Sequence, residues 1–242
     1  MEQLETKKPK EIVLSLLESN NVVELTNYIE TLASGDIVYL MSRLNKKDQH
    51  KLLTTLSPLN AAILIEELPD VQSADIIEDM DATDAAAIIN LMMSDDRADL
   101  MMELDDDDAE AILTEMKPSE AASVRKMIEY DQDTAGGLMI TEYFRYYESI
   151  TVKAVIEDLR INAEKYKYYH VRYIYVVSRK NEFIGVLQMQ DLLLANPNKK
   201  LSEIVIKTVM AINANASLDE VVDLFDTYDF YGFPIVNDNN KL

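Results

Sequence analysis

Carboxylates are the reactive groups that dominate this sequence. Between Glu66 and Glu110 there are seventeen aspartates and glutamates and a single base, Arg97. Like charges at this density repel each other, and Mg²⁺ or Ca²⁺, which bind carboxylate oxygens, would relieve that repulsion. The alternative is a set of solvated helix faces, with acidic first turns that favour the helix dipoles. The run from Asp105 to Asp108 does not decide between them, because it lacks the glycine and the distal glutamate of a calcium-binding helix–loop–helix site.

The sequence offers little for catalysis. It contains no cysteine and two histidines, His50 and His170, with no His-x-x-x-His pair and no glycine-rich loop to cradle a phosphate. Carboxylate pairs are so numerous that no particular acid and base stand out. We therefore predict that the chain is not an enzyme. Its net charge of −21 also argues against a nucleic-acid partner, because phosphates would be repelled.

The acidic region lies within a repeat of twelve residues. A leucine or methionine returns at this spacing at Leu32, Leu44, Leu56, Leu68, Met80, Met92, Leu104 and Met116. A second apolar position follows it by eight residues, at Leu40, Leu52, Leu64, Ile76, Ile88, Leu100, Ile112 and Val124. Twelve residues of continuous helix miss a whole number of turns by about 120°. Each unit of the repeat therefore needs a break.

The breaks are marked by residues that start helices. Serine, aspartate and proline follow the repeating residue, as at Ser57-Pro58 and Asp81. Serine and aspartate accept bonds from free helix-start N–H groups, and proline suits the first turn. Each unit is thus predicted to be a turn plus a helix of about two and a half turns, which is too short to be stable alone. With alanines such as Ala61 and Ala85 allowing close approach, the pattern predicts a superhelix of short helices that is stable only as an array.

The pattern changes after about Tyr130. The adjacent glycines Gly136 and Gly137 indicate backbone that turns sharply or approaches another segment closely. Beyond them we predict a helix over residues 152–159, a hairpin of strands over 173–177 and 183–189, and a helix from Asp191. The order then restarts with a helix over 218–225 and a strand over 233–236. This second copy stops at Leu242, so we expect the chain to be a fragment.

The segment between the two halves carries a family resemblance. Residues 131–143 read DQDTAGGLMITEY. Placed after acidic repeats and before two β-α-β-β-α copies, this junction resembles the cytosolic part of MgtE-type magnesium transporters and channels. The resemblance implies an acidic superhelical N domain over residues 1–130, a junction over 131–138, and CBS units over 139–200 and 201–242. The predicted fold class is therefore an α-helical superhelix of short repeats followed by an α+β or α/β tandem CBS-domain pair.

The resemblance also implies a function. In this family Mg²⁺ ions bridge the N domain to the CBS domains of a homodimer, and high internal Mg²⁺ shuts a pore in the transmembrane domain of the same protein. No stretch of this chain approaches the ~18 apolar residues needed to cross a bilayer. Residues 1–11 are charged and lack the apolar run of a secretion signal. We therefore expect a soluble fragment on the cytoplasmic side of the cell membrane.

The Mg²⁺ ligands that the resemblance implies are residues at matching positions. They are Asp95, Asp99, Gly137, Asp219, Asp226 and Asp229. Asp95 and Asp99 are four apart, so one helix face could present both. Several have structural alternatives: a helix cap for Asp95, a turn for Gly137, a first-turn acid for Asp219 and an exposed helix end for Asp229. Ser217 stands where the family can carry an acid.

Two alternative functions remain open. CBS pairs often hold adenine nucleotides such as ATP, and Asp191 could bind a ribose hydroxyl in a nucleotide-responsive regulator. Gln188, however, stands where a serine or threonine is expected, and Asp191 could instead be a plain N-cap. In the second alternative the helical array is a scaffold that grips a protein partner through its concave face and is indifferent to Mg²⁺.

Overall fold

The computed structural model describes residues 8–167, 169 and 172–242. Tyr168 and His170, which belong to a tyrosine-rich segment of the sequence, lie outside the described residues. The chain divides into two compact units, with the division between Ile128 and Glu129. None of the described helices combines the length and the apolar character that a bilayer crossing requires.

The first unit is helical throughout its described part. Its helices are α1 (Pro9–Glu18), α2 (Val22–Ile29), α3 (Ser34–Arg43), α4 (Lys46–Thr55), α5 (Pro58–Glu66), α6 (Asp70–Glu78), α7 (Ala82–Ile89), α8 (Ser94–Glu103), α9 (Asp106–Glu115) and α10 (Pro118–Met127). From α2 onward every helix begins twelve residues after the previous one. The predicted break in each repeat is therefore confirmed.

The core of the first unit follows from the same repeat. The second apolar position, from Leu40 to Val124, is buried in all eight helices that carry it. Alternate helices pack together, since α5 contacts α7, α6 contacts α8 and α7 contacts α9. Ala61 and Ala85 are fully buried where these helices approach. Full burial of one leucine side chain stabilises the fold by about 1.5–3 kcal/mol, so the array supplies the stability that a single short helix lacks.

The second unit contains two small sheets and three α-helices among its described residues. The strands are β1 (Phe144–Tyr147), β2 (Tyr173–Val177), β3 (Phe183–Gln188), β4 (Ile212–Asn213) and β5 (Ile235–Val236). The helices are α11 (Val152–Ile161), α12 (Met189–Leu194) and α13 (Leu218–Thr227), with a 3₁₀ turn over Leu201–Glu203. In the first sheet β1 is parallel to β2 and β3 is antiparallel to β2. In the second sheet β4 is parallel to β5.

Most of the predicted elements of this unit are present, with three corrections. Strands β1 and β4 were not predicted, and β5 is shorter than the strand expected over residues 233–236. Helix α12 begins at Met189, so Asp191 lies inside its first turn. The N-cap is Gln188, which makes no side-chain capping bond. The interpretation of Asp191 as an N-cap is therefore wrong.

Candidate cation site

Two glutamates at equivalent repeat positions bond to the starts of distant helices. Glu66, the last residue of α5, accepts a 2.6 Å hydrogen bond from the backbone N–H of Met93. Glu78, the last residue of α6, accepts a 2.9 Å bond from the N–H of Asp105. Both bonds span 27 residues because α5 and α6 occupy successive units of the repeat. These carboxylates thus satisfy N–H groups that a helix start leaves without a partner inside the helix.

Fewer helices than expected are capped by the side chain of their own N-cap residue. Ser57 does accept a 3.2 Å bond from the N–H of Asn60, as expected. Asp81 and Asp105 occupy N-cap positions but make no side-chain capping bond. Their acidic side chains remain available for other partners, and charge at a helix start is still favoured by the helix dipole.

Three carboxylates come together around the second of these bonds. One oxygen from each of Glu78, Asp105 and Asp108 lies within 4.8 Å of the others. Asp105 is exposed, whereas Glu78 and Asp108 are half-buried. All the donors are hard carboxylate oxygens, which suit Mg²⁺ or Ca²⁺. Within the described part of the chain, this is the group of three acids whose spacing fits one metal ion.

In the preceding repeat, the equivalent glutamate, Glu66, has different acidic neighbours. Met93 stands where the next repeat has Asp105, so Glu66 faces Asp95 and Asp96 without a third acid at that position. The pKa of Glu66 is raised to about 7, chiefly by burial, and the negative charges of Asp96 and Asp95 contribute to this rise. The Met93 N–H opposes it by stabilising the charged form. Glu66 therefore holds a proton over part of the neutral pH range.

The predicted ligands Asp95 and Asp99 both lie on α8, four residues apart. Both are half-buried. The Oδ1 atom of Asp95 is buried and has no hydrogen-bond partner. The alternative role of Asp95 as a helix cap is wrong, because α8 begins at Ser94 and its N-cap residue is Met93.

Gly137 lies in a turn of the junction. Its N–H donates a 3.3 Å bond to Oγ1 of Thr134, and a Cβ atom here would collide with backbone of residues 131 and 132. Neither Gly137 nor Gly136 has a positive φ angle, so close approach, rather than left-handed backbone, requires glycine at both positions. Both expected features of the adjacent glycines are present, since the two residues lie in a turn and approach other backbone closely.

The remaining predicted ligands lie on or after α13 and are exposed. Asp219 is in the first turn of α13, Asp226 in its last turn, and Asp229 two residues beyond its end. Ser217 caps this helix by accepting a bond from the N–H of Glu220, whose carboxylate accepts the N–H of Ser217 in return. The group of three acids found in the described residues includes none of these aspartates.

Glu78 was missed by the sequence analysis, and residues 105–108 were left undecided. The signal that would have found the site is the repeat itself. A glutamate recurs at positions 66 and 78, and the helix starts that these residues contact also lie twelve residues apart. Asp191, the predicted nucleotide contact, is exposed on α12.

The fold and the acidic site define a class of protein: a short-helix acidic domain followed by a CBS pair. The family model "MgtE intracellular N domain" matches residues 32–133, and the "CBS domain" model matches residues 201–242. The chain is homologous to the MgtE magnesium transporters, as the resemblance of the junction predicted. These relatives are transporters rather than enzymes, which agrees with the expectation that the chain has no catalytic site.

Two curated relatives are named "Magnesium transporter MgtE". The protein of Thermus thermophilus is 36% identical over 121 residues, covering 50% of this chain and 26% of the relative. The protein of Bacillus subtilis is 32% identical over 124 residues, covering 51% and 27%. The match thus spans about a quarter of the length of these relatives.

Two solved structures resemble almost the whole chain. The soluble part of a magnesium transporter superposes with a TM-score of 0.84 over 96% of this chain and 91% of that one, at 22% identity, which supports the fold alone. The cytosolic domain of the Mg²⁺ channel MgtE in complex with ATP superposes with a TM-score of 0.83 over 95% and 93%, at 27% identity. The predicted fold class is confirmed.

Proposed function

We propose that this chain is the Mg²⁺-sensing regulatory region of a magnesium transporter or channel, on the cytoplasmic side of the cell membrane. Its domains would be an N domain over residues 1–130, a junction over 131–138, and CBS units over 139–200 and 201–242. Mg²⁺ ions would bridge the N domain to the CBS pair and hold a membrane pore closed. When Mg²⁺ falls, the uncompensated carboxylates repel each other, and the change in domain position opens the pore.

The observation that carries this proposal is the group of Glu78, Asp105 and Asp108. Three carboxylates within 4.8 Å cost electrostatic energy that a divalent ion would remove. The group lies in a chain of net charge −21 that is homologous to named magnesium transporters. Asp95 and Asp99 on α8 and Gly137 in the junction are further proposed contacts, as are Asp219, Asp226 and Asp229 around α13.

Thermal unfolding tests for Mg²⁺ binding. We expect millimolar MgCl₂ to raise the melting temperature above that in NaCl of matched ionic strength, because a ligand at 100 times its dissociation constant stabilises by about 2.7 kcal/mol. The double variant Asp105→Asn with Asp108→Asn should lose part of this increment. The control, Asp106→Asn with Asp107→Asn, changes the same charge on the same helix outside the group and should keep it. No Mg²⁺-specific increment, or an equal loss in both variants, would count against the proposal.

We propose that the regulatory region works as a homodimer through its CBS units, with a transmembrane pore domain of the same protein as its partner. Support for a dimer comes from α13, where Leu218, Val222 and Phe225 share one face and are 39%, 47% and 44% exposed. Such a stripe is typical of a helix that packs against another chain. Sedimentation velocity should detect a dimer that Val222→Asp weakens and that Asp223→Ala, on the same helix, does not. A monomer at all accessible concentrations would contradict this.

A second candidate function is nucleotide binding. The support is one structural relative, an MgtE cytosolic domain in complex with ATP. Asp191 is exposed at the start of α12, where it could reach a ribose hydroxyl. Calorimetry with ATP, in excess Mg²⁺ so that chelation adds no heat, should show binding that Asp191→Ala reduces and Asp223→Ala leaves unchanged. Absence of ATP heat in the unmodified chain would exclude this function.

A further inference from the structure

The junction precedes the first CBS unit in sequence but is bonded to the second. The N–H of Ala135 donates to the carbonyl of Ala216, and the N–H of Gly136 donates to the carbonyl of Ala214, both at 2.8 Å. In return, the N–H of Leu218 donates to the carbonyl of Asp133 at 2.9 Å. An antiparallel bridge between residues 134 and 217 lies among these bonds. Residues 133–136 therefore lie beside residues 214–218, joined by three backbone hydrogen bonds and one isolated antiparallel bridge.

Side-chain packing reinforces this contact. Ala135 is 2% exposed and belongs to the same small core as Ile212 and Phe233 of the second CBS unit. A Cβ atom on Gly136 would lie 2.9 Å from the carbonyl oxygen of Ala214 and would also collide with the ring of Tyr130. The segment thus fits only with a small residue at position 135 and none larger than glycine at position 136.

We propose that residues 131–138 form a strap. The strap packs over the small core of the second CBS unit and can be released from it. Released, the strap would withdraw Ala135 from a core with few other members and free the N–H of Leu218, the first residue of α13. The docked strap therefore fixes the start of the helix that bears Asp219. Because the strap also bears Gly137, a cation that binds the docked form more tightly than the released form would shift the balance towards the docked form; this last step rests on the proposed function.

Hydrogen exchange followed by mass spectrometry on the full chain tests the strap. In the unmodified protein, the amides of Ala135 and Gly136 should exchange at least about tenfold more slowly than amides of exposed turns. Gly136→Ala should remove this protection and speed exchange at residues 214–218, while the helices of the first unit stay protected and show that the chain is folded. Gly232→Ala is the matched control, since a Cβ atom there meets nothing within 4 Å.

The results distinguish the strap from the proposed function. Fast exchange at Ala135 and Gly136 in the unmodified protein, or an equal effect of Gly136→Ala and Gly232→Ala, would overturn the strap whatever Mg²⁺ does. Slower exchange of the strap in MgCl₂ than in chelator, at matched ionic strength, would support its coupling to cation binding. A melting temperature that rises with Mg²⁺ while exchange of a protected strap stays constant would overturn that coupling alone.

Discussion

Replacing Glu66 by glutamine should stabilise the first unit above neutral pH. Glutamine keeps an oxygen that can accept the N–H of Met93, and it removes a carboxyl whose pKa is raised to about 7, chiefly by burial. The folded state holds the Glu66 proton more tightly than the unfolded chain, where the ordinary pKa is 4.5. The contribution of this group is therefore complete below about pH 4.5 and is lost as the pH rises through about 7.

The size of the effect follows from the difference between the folded and unfolded pKa values. A tenfold difference in proton affinity is worth about 1.4 kcal/mol, so a rise in the pKa from 4.5 to about 7 gives a ceiling of ~3.4 kcal/mol. Glu66 is only half-buried, and solvent screens its interaction with Asp95 and Asp96. We therefore expect Glu66→Gln to raise the free energy of unfolding at pH 8 by about 1–2 kcal/mol. At pH 4 the difference from the unmodified protein should be close to zero.

Urea unfolding followed by far-ultraviolet circular dichroism, in chelator and at pH values from 4 to 8, measures this difference. Glu78→Gln is the matched comparison, because Glu78 ends the next helix and accepts the equivalent N–H bond from Asp105. If Glu66→Gln changes stability equally at every pH, proton uptake by Glu66 is not its cause. If the variant is destabilised at pH 8, the carboxylate bond to Met93 outweighs the burial cost, and the reasoning is refuted.

Three further substitutions have expected outcomes in the same unfolding assay at pH 7. Leu52→Ala should lower the free energy of unfolding by about 3 kcal/mol, because Leu52 is fully buried and the change leaves a cavity. Gly185→Ala should cost about 1–3 kcal/mol, since the added Cβ collides with the backbone carbonyl of Ile206. Tyr146→Phe should cost about 1–2 kcal/mol, because its hydroxyl donates a 2.6 Å bond to the half-buried Asp158 carboxylate. A loss below a few tenths of a kcal/mol in any of them would contradict the packing described for that residue.

The helical unit could be predicted closely because its information is local. A break every twelve residues and an apolar position such as Leu52 or Leu64 in each unit determine both the helix starts and the buried face. The hairpin of β2 and β3 was predictable for the same reason, since its turn and its apolar runs are adjacent in sequence. Strand β4 was not, because two residues form a strand only through pairing with Ile235 and Val236, more than twenty residues away.

The candidate cation site shows where local information ends. Asp105 and Asp108 are neighbours in sequence, but Glu78 joins them only through the packing of α6 against α8, the helix that leads into Asp105. The register between α6 and α8 cannot be predicted from the sequence of a single repeat. The interpretation of Asp191 as an N-cap failed by a few residues, which is the usual uncertainty of a helix boundary.

Glu66, Glu78 and Asn90 occupy equivalent positions in three successive repeats, each opposite the start of another helix. The three positions differ in how the local negative charge is reduced. At Glu66 the carboxyl is half-buried and its pKa is raised, so a proton reduces its charge. At the third place Asn90 replaces the glutamate, and the facing helix start carries Lys117, which pairs with Glu120 at 3.5 Å. At Glu78 the carboxylates of Asp105 and Asp108 come together with that of Glu78, and the charge of Lys46, which pairs with the neighbouring Asp79, offsets part of theirs. Three carboxylates against one exposed lysine still leave a net negative charge, which a divalent ion would neutralise, and for this reason we place the proposed Mg²⁺ site at this middle position.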